Sequence, residues 1–206
     1  MKSLLPLRLA FALAALPLVF LSEGRCFLTS AHSLRVTRRH HHSQENTVLG
    51  EKVSLFGGKI LFSPPAEFVK MSDELVSKKY PELDVPRVAY SNAETTVSVL
   101  VGFAEERNLR PEQLPKFKDF FTSALEQAAP GINWIKKEFV EIDGRRWIHL
   151  EYISKREGSR EVHNDAYITS LDNRILFFNF NSAVSEYEKF KEALQRSKES
   201  ILVKGP

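Results

Sequence analysis

The sequence of 206 residues contains a single cysteine, Cys26, so a disulfide within the chain is excluded. Stability must therefore come from a packed hydrophobic core. The sequence also lacks the G-x-S-x-G motif, the phosphate-binding loop and the glycine pattern of dinucleotide sites. Cys26 lies in a polar stretch with no base fixed beside it, so it is no candidate nucleophile. These absences predict a protein without catalytic activity.

The whole chain carries a net charge of +3, but most of the chain has no excess of positive charge. Residues 1–50 contain six lysines and arginines against two acids, whereas residues 51–206 contain 23 against 24. The basic character thus belongs to the N-terminal region. The remainder gives no electrostatic reason to expect a nucleic-acid partner.

Residues 1–24 have the pattern of a secretory signal peptide. Lys2 and Arg8 provide a basic start, and residues 9–21 form an apolar run followed by small residues. We expect cleavage near Gly24 and export to a periplasmic or extracellular space. A signal anchor is the alternative, although the run is short for a bilayer span and a basic segment follows it. The residues before Cys26 do not form a lipobox, so we expect no lipid anchor.

Residues 25–50 are polar and basic without an apolar period, which is typical of a disordered tether. A plastid-type targeting segment behind the signal is the alternative interpretation, because such segments are rich in arginine and serine. His40, His41 and His42 are adjacent, but three histidines in a disordered run form no fixed coordination shell. Residues 51–206 are expected to form one domain.

The expected domain alternates hairpins with helices, which predicts an α+β fold built on an antiparallel sheet. Turn residues and period-2 patterns place hairpins in residues 52–62, 88–103, 139–153 and 161–180. Helical spacing places helices within residues 67–80, 111–129 and 184–202. In the second helix one apolar stripe is expected to face the core, formed by Leu114, Phe117, Phe120, Phe121, Leu125 and Ala128.

The hairpin from Phe139 to Ile153 is the centre of the predicted sheet. Its Asp143-Gly144 dipeptide favours a two-residue turn, which pairs Phe139 with Ile148. Alternation then puts one set of side chains, Phe139, Ile148, Leu150 and Tyr152, on the denser apolar face. The opposite face receives Val140, Ile142, Trp147, His149 and Glu151.

A candidate metal site follows from the next strand of the sheet. A register that pairs Glu151 with Asp165 places His149, Glu151, His163 and Asp165 on one face. Two imidazoles and two carboxylates suit a divalent cation, and no other cofactor is expected. A one-residue slip would separate these side chains, and surface strands often carry such residues for solubility. A solvated strand face is therefore the preferred interpretation, with metal binding as the alternative.

Five apolar side chains fall on the same second face of the sheet: Trp147, Tyr167, Leu176, Phe178 and Phe180. Together they would form too large an exposed patch for a monomer. The preferred interpretation is that a helix covers them, giving three layers. The alternative is a partly open docking surface for a protein partner, in which Trp147 contributes and Arg145 and Arg146 form the rim.

The order of elements resembles the PsbP-like family, which includes DcrB-like envelope lipoproteins and a Ran-binding nuclear import factor. Three segments of this sequence carry the resemblance: Ile60-Leu-Phe-Ser-Pro64, Arg87-Val-Ala-Tyr-Ser-Asn92, and the stretch from Asn133-Trp134 to Gly144-Arg-Arg-Trp147. It covers roughly residues 51–203. The resemblance implies an α/β/α sandwich, with helices on both faces of the sheet, that acts by docking onto other proteins without catalysis. No site motif of the family can be matched to residues here.

The sequence leaves two candidate functions. The first is an exported, non-catalytic domain that binds a protein partner or assists assembly of an envelope or membrane-associated complex. The second is a metal- or small-ligand-binding protein that uses the polar face of the sheet.

Overall fold

The computed structural model of the chain describes residues 48–81, 87–104, 108–155 and 160–205. The predicted signal peptide, most of the predicted tether and residues 156–159 lie outside these ranges. The elements in chain order are β1 (Val53–Leu55), β2 (Ile60–Phe62), β3 (Val69–Lys70), α1 (Asp73–Lys79), β4 (Arg87–Ser91), β5 (Val97–Ala104), a 3-10 turn (Pro111–Gln113), α2 (Leu114–Ala128), β6 (Asn133–Ile142), β7 (Arg145–Ser154), β8 (Val162–Leu171), β9 (Arg174–Ala183), α3 (Val184–Glu199) and β10 (Leu202–Val203).

The strands form two antiparallel sheets, which confirms the predicted α+β class. The large sheet has seven strands in the order β3-β4-β5-β9-β8-β7-β6. The small sheet has the order β1-β2-β10 and joins the N-terminal hairpin of the described chain to its last strand. None of the helices in the described ranges is long and apolar enough to cross a membrane.

Tight turns determine the register of the two longest hairpins. Asp143 and Gly144 have φ values of 52° and 68°, and Asp172 and Asn173 have φ values of 51° and 57°. Positive φ at both central residues is the type I′ geometry, whose twist matches that of the flanking strands. The predicted pairing of Phe139 with Ile148 is confirmed.

Two hydrophobic cores lie on opposite faces of the large sheet. Helices α1 and α2 cover the first face, where Phe121 and Leu125 pack with Ile148, Leu150 and Tyr152. All five of these side chains are buried. The side of the central hairpin that the sequence assigns to the denser core is therefore the correct one.

The second face is covered by α3 and the small sheet, as the three-layer interpretation requires. Phe190 and Leu194 of α3, with Ile60 and Phe62 of β2, pack in the same core as the five apolar side chains of that face. All five, Trp147, Tyr167, Leu176, Phe178 and Phe180, are buried. An open docking surface here is therefore wrong. Trp147, which was expected to contact a partner, lies wholly in the core and donates its indole N–H to the Ile142 carbonyl oxygen at 3.2 Å.

The expected core position of Phe120 is also wrong. Its side chain is 50% exposed, whereas the neighbouring Phe121 is fully buried. The inward line of α2 runs through Leu114, Phe121 and Leu125, at helical spacing. Phe120 precedes Phe121 by one residue, about 100° around the helix, which turns it out of that line.

Candidate functional site

The polar side chains predicted to share a face come from adjacent positions of β7 and β8. Glu151 pairs directly with Asp165, His149 pairs with Tyr167, and His163 pairs with Ile153. The predicted register is therefore correct. Because side chains alternate between faces, this register places the two histidines and two carboxylates together on the second face of the sheet.

His149 lies between two carboxylates. Its Nδ1 atom is 3.1 Å from Oε1 of Glu138 on β6, and its Nε2 atom is 2.6 Å from Oδ1 of Asp165. The other oxygen of Asp165 accepts a hydrogen bond from the Tyr167 hydroxyl at 3.1 Å. The Tyr167 ring also stacks on the imidazole, with centroids 4.5 Å apart and planes 9° from parallel. These contacts fix both the position and the orientation of His149.

A second chain of contacts is centred on Glu151. Its Oε1 atom is 3.0 Å from Nε2 of His163, and its Oε2 atom is 3.1 Å from the Lys136 ammonium. The ring of Tyr187, on α3, lies against the His163 imidazole with centroids 3.8 Å apart. Side chains of three strands and one helix thus meet in one polar cluster.

The inner part of the cluster is buried, so the expected solvated strand face is wrong there. His149 and His163 are each only 4% exposed and Glu151 is 9% exposed, whereas Lys136 and Glu138 on β6 are exposed. The reason is α3, which crosses this face and borders an open cavity of 490 Å³. The sheet lines the cavity with Lys136, His149, Glu151, His163, Asp165, Tyr167 and Phe180, and the helix lines it with residues that include Tyr187, Glu188, Lys191, Glu192 and Lys198.

Burial and nearby carboxylates keep three side chains of the cavity protonated. Burial, and then the charges of Glu151 and Asp165, raise the pKa of Tyr187 to about 12. Burial and the Asp165 carboxylate also raise the pKa of Tyr167, so its hydroxyl stays protonated and remains a donor. The hydrogen bond with Glu151 raises the pKa of Lys136, which keeps that side chain an ammonium. Each effect has the sign that nearby carboxylates produce.

Three of these residues are placed to hold a cation. Ligand atoms of His149, Glu151 and Asp165 all lie within 4.8 Å of one another. A divalent metal bound at about 2.1 Å needs its ligand atoms closer together than this, so binding requires the three side chains to move toward a shared ion. His163 was predicted as a fourth ligand, but it is not in this group and instead contacts Glu151.

A second cavity, of 460 Å³, continues from the first along β6 and the C-terminal half of α3. The two cavities share Lys136, His149, Tyr167, Gln195 and Lys198. We call the combined space the α3 groove. Glu138, Glu141 and Glu199 line its second half, so the whole groove is rich in carboxylates.

The two arginines predicted at a docking rim have different roles. Arg145 donates to the carbonyl oxygens of Ser170 at 3.0 Å and Gly205 at 2.8 Å, so it ties the chain's C-terminal segment to the sheet. Arg146 is exposed, and its guanidinium lies 3.7 Å from the centroid of the Phe139 ring. Three residues were predicted to contact a partner. Trp147 is buried and Arg145 bonds to the chain's own carbonyl oxygens, so Arg146 is the one that stays available at the surface.

Sequence reasoning missed several members of the cluster. Glu138 could have been found, because the Asp143-Gly144 turn that pairs Phe139 with Ile148 also pairs Glu138 with His149. Tyr167 was assigned to the apolar patch, although its hydroxyl belongs to the cluster. Tyr187 carried no such signal, because its contact with His163 depends on where α3 crosses the sheet.

The arrangement of the whole domain is similar to solved structures of the PsbP-like fold. The cyanobacterial PsbP (CyanoP) of Synechocystis is 15% identical, with a TM-score of 0.53 over 81% of this chain and 98% of that one. The Ran-binding protein Mog1p of Saccharomyces cerevisiae is 14% identical, with a TM-score of 0.50 over 74% and 94%. LpqN of Mycobacterium tuberculosis, involved in cell envelope biogenesis, is 11% identical, with a TM-score of 0.50 over 71% and 83%.

These likenesses confirm the predicted PsbP-like fold, and identities this low show the fold alone. No protein-family model and no curated protein matches the sequence.

Proposed function

We propose that this chain of PsbP-like fold is a non-catalytic binding domain, and that its α3 groove binds a divalent cation. The observation that carries the proposal is the convergence of His149, Glu151 and Asp165, whose ligand atoms lie within 4.8 Å of one another in a cavity. One imidazole and two carboxylates are ligands of a borderline cation such as zinc or manganese.

The surroundings of His149 support a role as a metal ligand. A ligating histidine usually has its second ring nitrogen held by a carboxylate or carbonyl, which orients the ring and increases its basicity. Glu138 is placed to do this at Nδ1, which leaves Nε2 for the cation. The cation would take the place of the contact of 2.6 Å between Nε2 and Oδ1 of Asp165. Because metal ligands must be deprotonated, binding should weaken in acid.

Thermal unfolding with and without zinc or manganese tests this proposal. A cation that binds the native state at 100 times its dissociation constant stabilises it by about 2.7 kcal/mol. For a chain of this size that corresponds to a rise in Tm on the order of 5–10 °C. We expect His149→Ala to abolish the rise and His163→Ala to retain most of it, because His163 lies outside the ligand group.

The control for this experiment concerns the histidines of the N-terminal region. A variant with His40, His41 and His42 changed to serine should show the full rise in Tm. Loss of the rise in that variant, or no rise in the unaltered protein, contradicts the proposal.

A second proposed function is that of an exported domain that binds a protein partner at an envelope or membrane-associated complex. One exposed feature favours it: the Arg146 guanidinium stacked on Phe139, at the free side of the central hairpin. The fold is also shared with a protein named as Ran-binding and one named for envelope biogenesis.

Capture of partners from the native envelope, followed by mass spectrometry, tests this second function. Arg146→Glu should reduce capture while Tm changes little, because reversing an exposed charge slows encounter without disturbing packing. If this variant captures partners as well as the unaltered protein does, Arg146 does not take part in partner binding.

A further inference from the structure

Strand β6 is the outermost strand of the large sheet at the hairpin end, and among the described strands it pairs only with β7. It is ten residues long, and six of them are exposed, including Lys136, Lys137, Glu138 and Glu141. A long edge strand presents a row of unpaired backbone groups that can pair with another strand.

The geometry of the hairpin determines which backbone groups face outward. In a two-residue type I′ hairpin, the residues flanking the turn, here Ile142 and Arg145, exchange both backbone hydrogen bonds. Every second residue of β6 back from Ile142 then bonds to β7, and the residues between them face away. The outward residues are Glu141, Phe139 and Lys137. An independent contact agrees, because the outward carbonyl oxygen of Lys137 accepts from the Lys118 ammonium at 3.2 Å, a hydrogen bond that pairing with a second strand would replace.

The charges of these three outward residues are complementary to those of a second copy of β6 that runs in the opposite direction. If two copies of β6 lie antiparallel about a two-fold axis at Phe139, each Lys137 lies directly opposite a Glu141 of the other copy. Opposite charges at paired positions stabilise a strand pair, and like charges destabilise it. Moving the axis to Glu138 or Glu141 places two glutamates opposite each other, and moving it to Lys137 places two lysines opposite each other. Moving it to Val140 pairs Phe139 with Glu141 and leaves Lys137 opposite the turn residue Asp143. The register centred on Phe139 is thus the one that pairs Lys137 with Glu141.

We infer that the chain forms a homodimer in which two β6 strands pair antiparallel in this register and join the two large sheets. The dimer is an interaction beyond the proposed cation binding and does not depend on it. It would also affect the α3 groove, because Glu138 and Val140 line the groove on the other face of β6. In this register the partner's Val140 lies beside Glu138, so the second copy extends the wall of the groove.

Sedimentation equilibrium of the purified protein over a concentration series tests the dimer. We expect a monomer–dimer equilibrium in the unaltered protein. Lys137→Glu and Glu141→Lys should each weaken the dimer by about tenfold or more, since each change creates two like-charge pairs across the axis. The double variant, with both changes, restores opposite charges and should return the dissociation constant to near its original value.

Two controls accompany these variants. Lys52→Glu makes the same charge change at an exposed position before β1 and should leave the dimer unchanged. Circular dichroism and Tm establish that each variant is folded, which matters because Lys137 also lies 3.6 Å from Glu126 of α2. A protein that stays monomeric throughout the series overturns the inference. So does a dimer that single charge reversals leave intact, or one that the double variant fails to restore.

Discussion

Phe120 and Phe121 show how much adjacent residues can differ in what they contribute to stability. Phe121 is fully buried in the first core, and Phe120 is half exposed on the outer side of α2. Phe121→Ala should lower the free energy of unfolding by about 3–5 kcal/mol, through lost burial and a cavity in the core. Phe120→Ala should lower it by less than about 1 kcal/mol. Urea denaturation of the two variants measures both values, and equal losses would contradict the assigned orientation of α2.

Tyr187 provides a residue-scale test of the cavity's electrostatics. Its pKa is about 12 in the native state, against about 10 in an unfolded chain. The native state therefore holds the tyrosine proton more tightly, and this contributes stability below about pH 10. The contribution is lost as the pH rises from about 10 toward 12.

Replacement of this tyrosine isolates its contribution from those of the other tyrosines. Between about pH 9 and about pH 11 the free energy of unfolding should fall less for Tyr187→Phe than for the unaltered protein. Urea melts at the two pH values give both differences. Equal falls would mean that burial and the nearby carboxylates do not raise the pKa of this hydroxyl.

At the scale of elements, the long hairpins could be predicted because their turns carry a local signal. The Asp143-Gly144 turn and the Asp172-Asn173 turn adopt the positive φ values that these residue types allow, and pairing then follows residue by residue. The two-residue strands β3 and β10 carry no such signal. β10 exists because Leu202 and Val203 pair with Leu61 and Ile60, which are far away in the sequence.

Arg145 connects the central hairpin to the C-terminal segment, and this gives an element-scale prediction. Arg145→Glu removes hydrogen bonds to the carbonyl oxygens of Ser170 and Gly205 and puts a negative charge beside them. The free energy of unfolding should fall by about 1–3 kcal/mol. Arg146→Glu, the matched control at the next residue, should cost less than about 1 kcal/mol because it loses only a surface cation–π contact. If the two variants unfold alike, Arg145 does not hold the C-terminal segment.

At the scale of the whole molecule, the faces of the long strands could be predicted from the sequence, but the exact path of the helix that covers them could not. Period-2 alternation and turn residues predicted the face shared by His149, Glu151, His163 and Asp165, and the register confirmed it. A helix over the apolar part of that face was predicted, but the burial of its polar part was not, because that burial depends on the path of α3 across the sheet. That path also determines which residues converge. It brings Tyr187 to His163, while the sheet geometry leaves His163 outside the group of three ligand atoms.

X-ray absorption spectroscopy of the zinc-loaded protein can show whether His149, Glu151 and Asp165 form the proposed cation site. The variant with His40, His41 and His42 changed to serine is the sample, so that bound zinc reports on the groove. We expect one imidazole among the zinc ligands, with oxygen atoms as the others. His149→Ala should leave the protein unable to retain zinc. A shell with two or more imidazoles, or zinc retained unchanged by His149→Ala, would contradict the proposed cation site.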